Sequence, residues 1–127
     1  MTVYKGKDIK QAICDFVAMN GWSNVLIIGA VGSVINTKFN VPVNESLPVT
    51  TLSSECLLAA EILSFTGEVM TINRVDPQIA ALYVTDDSSL FVHIHASCAS
   101  RSGVIGGGLV SGQAFRSLRI FLVPIDE

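Results

Sequence analysis

The chain has 127 residues, of which half are hydrophobic and only 15% are charged, with a formal net charge of −3. That length suits one domain, and an acidic balance without a dense basic stripe argues against direct nucleic-acid binding through phosphate contacts. Charge falls well below the ~25% of an average domain, and a small protein has much surface to cover, so an oligomer with cyclic symmetry is expected.

Asp8 to Met19 carries Ile9, Ile13, Phe16 and Val17 at helical spacing, with Asp8 as N-cap and Asn20-Gly21 as the stop. Trp22 then anchors the helix end or a subunit contact. Val25 to Ile28 reads as a buried strand running into Gly29-Ala30-Val31-Gly32-Ser33, where a tight turn or bulge redirects the chain before Val34 to Phe39. No glycine-lysine-serine or -threonine ending follows, which excludes a phosphate-binding loop. Asn40 to Pro48 reads as an exposed loop, and Val49 to Leu52 as a short strand. Ser54 to Ser64 is ambiguous, because helix propensity competes with a strand reading, and Phe65 to Ile72 looks like a strand interrupted by a bulge at Gly67. Ile79 to Val84 and Leu90 to Ser97 suit a hairpin across the turn-forming Asp86-Asp87-Ser88. Val104 to Val110 and Ala114 to Val123 finish the chain as two strands joined at Gly112-Gln113. The inventory is α+β: a compact single domain over residues 1–127 with a mainly antiparallel sheet and one or two packed helices.

Three cysteines, Cys14, Cys56 and Cys98, match no zinc, redox or disulfide spacing and read as reduced thiols of a cytoplasmic protein. Lys5 and Lys7 lead into an amphipathic segment, so no secretion signal is expected. No apolar run approaches the ~20 residues of a membrane span.

The chemistry-bearing stretch is His93-Ile94-His95-Ala96-Ser97. On a strand, alternate side chains share a face, which puts His93 and His95 together, roughly 6–7 Å apart along the backbone, with Val92, Ile94 and Ala96 opposite. Two adjacent imidazoles suit a divalent transition metal such as zinc, or a base and its partner. The plainer meaning is a structural pair at a sheet edge or subunit contact. Metal sites usually need a third protein ligand, and none stands out nearby. Gly106-Gly107-Gly108 lacks the spacing of a dinucleotide fingerprint. Such glycines mean room for a neighbouring strand, another chain or a small ligand, and pairing with the histidine strand would set them beside His93 and His95.

Glu61-Ile62-Leu63-Ser64-Phe65-Thr66-Gly67, His93 to Ser97, and Gly103-Val104-Ile105-Gly106-Gly107-Gly108-Leu109, in that order, resemble the plant-and-prokaryote conserved (PPC) domain, the domain that follows the AT-hook in a family of plant nuclear proteins. The resemblance covers nearly the whole chain. It implies an antiparallel α+β fold, a homotrimer, and a strand from about Glu61 onwards. Many prokaryotic members end the glycine run in Gly-Gly-His-Leu, giving a third histidine for a metal. Here that position is Gly108, so a metal at His93 and His95 would need water, substrate or a neighbouring subunit to complete it. The plant Arg-Gly-Arg-Pro arm has no counterpart in the sequence, so direct nucleic-acid binding is not carried over.

Two functional readings follow. One is a non-catalytic homotrimeric module that binds protein partners or a small ligand. The other is a metal- or small-molecule-binding protein or enzyme, with His93, His95, Ser97, Gly106, Gly107 and Gly108 at the site and Glu61, Ser100 and Arg101 as helpers. A serine hydrolase is unsupported, since no nucleophile elbow is present.

Overall fold

A computed structural model of the chain describes residues 1–83 and 89–125. The elements are β1 (Thr2–Tyr4), α1 (Ile9–Met19), β2 (Val25–Pro42), β3 (Thr51–Cys56), β4 (Ala60–Thr71), a 3₁₀ turn (Ile72–Arg74), α2 (Pro77–Tyr83), β5 (Leu90–Ser100) and β6 (Gly103–Pro124). All strand pairs are antiparallel. β2 pairs with β4, β4 with β5, β5 with β6, and β6 returns to β2, so four strands close a circuit. β1 extends it beside β6 and β3 beside the second half of β2. Closure leaves few open edges, and the strands must bend strongly to achieve it.

The bending is done by β2 and β6. β2 has 18 residues and β6 has 22, and their mutual register shifts at Ile27/Gly29, Gly32/Val34, Ile35/Lys38 and Lys38/Phe39. The Gly29–Ser33 stretch is therefore a set of bulges inside one strand, in keeping with the extra bend a bulge allows. Asn36 takes a left-handed φ of 55° at the Ile35/Lys38 shift, and its amide donates to the Gln113 side chain at 2.9 Å.

Several local expectations change. Gly112-Gln113 makes no turn, because pairing on both sides keeps it within β6. Ala114 exchanges backbone hydrogen bonds with Gly6 and Lys7 at 2.8 and 3.0 Å, and Gln113 pairs with Ile35. Asn40 lies within β2, buried, and accepts from the Ser53 hydroxyl at 2.7 Å, so the loop begins after Pro42. The ambiguous Ser54–Ser64 segment is strand to Cys56 and strand again from Ala60, as the family resemblance implies for its later part. The β4 irregularity falls between Ile62 and Ser64, while Gly67 pairs in register with Ile94. Ile79–Tyr83 is helical rather than strand: Asp76 accepts from the Gln78 and Ala80 N–H groups, and Pro77 occupies the first turn, where its missing N–H costs nothing. Val84 and the turn expected at Asp86-Asp87-Ser88 lie outside the described residues.

The N-terminal helix forms as expected. Asp8 accepts from the Gln11 N–H at 2.8 Å, Asn20 caps the other end, and Ile9, Ile13 and Val17 are fully enclosed. Phe16 is half-buried and meets Trp22 edge-on at 5.9 Å. The buried face of α1 joins Val25, Ile27, Phe39, Phe65, Ile94 and Ile120 in one core cluster. Among the described residues, no helix is long and apolar enough to cross a membrane.

Candidate functional site

The even-numbered residues Val92, Ile94, Ala96 and Cys98 of β5 point into the core, and His93, His95 and Ser97 point outward. Apolar even positions force the odd ones to the surface, because strand side chains alternate. β4 repeats this pattern, with Phe65 and Val69 inward and Ser64, Thr66 and Glu68 exposed. Register then sets Glu68 opposite His93, Thr66 opposite His95 and Ser64 opposite Ser97. The result is a six-residue polar patch on the outer face.

Within it, the His93 and His95 rings meet edge-on with centroids 4.8 Å apart, and Phe91 lies 5.5 Å beyond His93. Burial pushes the His93 imidazole below its ordinary pKa; His95 and Lys10 push the same way, and Glu68 opposes them. The Ser64 and Ser97 hydroxyls hydrogen-bond each other at 2.7 Å. A shallow pocket of about 560 Å³ joins His93, His95 and Glu68 to Leu26 and Ile28 of β2. A second, of about 290 Å³, runs from His95 over Gly107 and Gly108.

The glycine run does lie beside the histidines: Gly108 pairs with His95, Gly107 with Ala96 and Gly106 with Ser97. What approaches these glycines is neighbouring backbone. A Cβ at Gly106 would sit 2.7 Å from the Ala96 carbonyl oxygen, and one at Gly107, whose φ is 142°, would sit 2.6 Å from that of Asn40.

The remaining candidates fall elsewhere. Glu61 of β4, Ser100 at the end of β5 and Arg101 in the turn that follows line a separate cleft with Ser33 and Arg116, several residues along the strands from the imidazoles. Glu68, opposite His93, was missing from the sequence-based set. The signal for it was the alternation of β4 with Glu68 in phase with Thr66 and Ser64, but the β4–β5 register is needed to connect it with His93. Among the described residues no group of three or more histidine, cysteine, aspartate or glutamate side chains is arranged to hold a metal.

An antiparallel circuit with a His-x-His strand beside a glycine run is the construction of a PPC-type domain. The family model for the Plants and Prokaryotes Conserved (PCC) domain matches residues 1–126, and the chain belongs to that family. Solved structures agree with the fold. A PPC protein from Pyrococcus horikoshii superposes with a TM-score of 0.73 at 24% identity, covering 100% of this chain and 77% of its own. A metal-containing protein from Archaeoglobus fulgidus gives 0.73 at 26% identity, with 98% and 76% covered. A candidate DNA-binding protein from Ralstonia eutropha JMP134 gives 0.70 at 11% identity, with 100% and 77% covered. No curated protein matches the chain in sequence.

Proposed function

We propose that this chain is a non-catalytic, homotrimeric PPC-type module that binds protein partners or a small ligand. The observation that carries the reading is an apolar stripe on the outside of paired strands. Leu26 pairs with Val123 and Gly29 with Phe121, and Leu26, Ile28, Phe121 and Val123 all face outward, exposed. Contiguous apolar surface of this kind is a mark of an interaction site, and few charges are available to keep it in solution. A second copy of the chain is the simplest cover. Cys14, Cys56 and Cys98 stand as thiols rather than disulfides, which suits a reducing compartment such as the cytoplasm. Direct nucleic-acid binding is left out of the reading, because a net charge of −3 opposes phosphate contact. Light scattering on a 13.5 kDa chain distinguishes the states: a trimer is expected, and Leu26→Glu with Val123→Glu should give monomer. A monomeric native protein would overturn the assembly.

A second reading is metal binding at His93 and His95. It is supported by the 4.8 Å ring separation and by the metal-containing archaeal relative. The two imidazoles would hold the ion, and Glu68 is the nearest carboxylate in register. A bound divalent ion would supply Lewis acidity to an added ligand. Metal analysis of untagged protein, beside a His93→Ala, His95→Ala variant, tests it. Near-stoichiometric zinc in the native protein alone supports the site, and zinc-free protein after incubation and washing removes it.

A further inference from the structure

We infer that the cleft at Glu61, Arg101 and Arg116 is a binding site for a small organic anion carrying a phosphate or carboxylate head, independent of the histidine patch and of the assembly proposed above. The cleft holds about 720 Å³, within the range of small-molecule sites. Four adjacent strands build it. Ser33 of β2 pairs with Glu61 of β4, Glu61 pairs with Ala99 of β5, and Arg116 of β6 lies against Ser33 on the other side, its N–H donating to the Ser33 hydroxyl at 3.2 Å. Gly32 makes the floor: its φ is 141°, and a Cβ there would collide with the Ser117 carbonyl oxygen. Arg101 comes from the two-residue turn between β5 and β6, where Ser100 accepts from the Ser102 N–H at 3.1 Å and Gly103, at φ 125°, completes the reversal.

Both arginines are thus mounted on defined backbone. Neither guanidinium has a hydrogen-bond or ion-pair partner among the described residues. Two positive charges face one negative charge in the cleft, on a chain whose total is −3. A guanidinium is a planar fork of donors matched to carboxylate or phosphate oxygens. Val31, Ile62 and Phe115 supply apolar wall for the body of the ligand.

The test is a titration followed by amide chemical shifts, with phenyl phosphate and phenylacetate as probes and benzyl alcohol as the uncharged control. At least one anion should saturate, with shifts confined to the cleft, and benzyl alcohol should not. The anion that saturates tells phosphate from carboxylate recognition. Arg101→Gln or Arg116→Gln should weaken that anion by about tenfold each. Glu61→Gln should tighten it, because a like charge is removed. All three side chains are exposed, so the variants should melt with the native protein. No saturation by either anion, equal binding of benzyl alcohol, or unchanged affinity in the Arg101→Gln, Arg116→Gln double variant would overturn the inference.

Discussion

At the residue scale, the histidine patch is governed by two facts: His93 is half-buried, and another imidazole, His95, meets it edge-on. Burial first, and His95 second, disfavour its charged form. The unfolded chain therefore binds the proton more readily than the folded one, so this contribution to stability is complete above the unfolded pKa near ~6.5 and is lost as pH falls through the lower, folded value. An imidazole titration by NMR should place His93 below that reference. Urea unfolding at pH 7.5 and 5.5 should show less acid sensitivity in His93→Asn than in the native protein. Gly108 is the other decisive residue. Directly opposed residues on paired strands project to the same face, so a side chain there would meet His95. Gly108→His should raise zinc affinity by about tenfold or more, or about 1.4 kcal/mol, measured by chelator competition. Unchanged affinity would mean that the patch does not support a three-imidazole site.

At the element scale, α1 contributes through its buried stripe and its cap. The Asp8 carboxylate satisfies one of the first-turn N–H groups that have no helical partner. Asp8→Ala should cost about 1 kcal/mol in denaturant unfolding, and Asp8→Asn much less. α2 shows why local pattern misleads: Ile79 to Val84, a short apolar run before a turn signal, reads as one arm of a hairpin, yet Asp76 and Pro77 together start a helix over Pro77–Tyr83. Gly112 shows the converse. It reads as a turn, but in β6 its missing side chain makes room for the Thr37 methyl, which would lie 3.2 Å from a Cβ.

At the scale of the whole molecule, the closed circuit buries one face of each strand and leaves the other to water or to partners. Leu26, Ile28, Phe121 and Val123 run along the outside next to the His93 pocket, so assembly through this stripe would bring a neighbour close to the histidines. Stability would then depend on protein concentration by mass action. The Tm of the native protein should rise with concentration, while that of the Leu26→Glu, Val123→Glu variant should stay constant. A concentration-independent native Tm would count against an obligate oligomer.

By itself the sequence determined the helix from Asp8 to Met19, the shared face of His93 and His95, and the family, because these depend on periodicity, capping and short motifs in order. The glycine run beside the histidine strand was legible for the same reason, as a demand for close backbone approach. Only tertiary structure decided that Gly29–Ser33 and Gly112-Gln113 lie inside two long bent strands. A glycine that frees the chain to turn and one that admits a neighbour look alike until the neighbour is in place. Tertiary structure alone also joined Glu68 to His93 and separated Glu61 and Arg101 from both histidines, since the register of β4 against β5 is a long-range choice that no local pattern of residues contains.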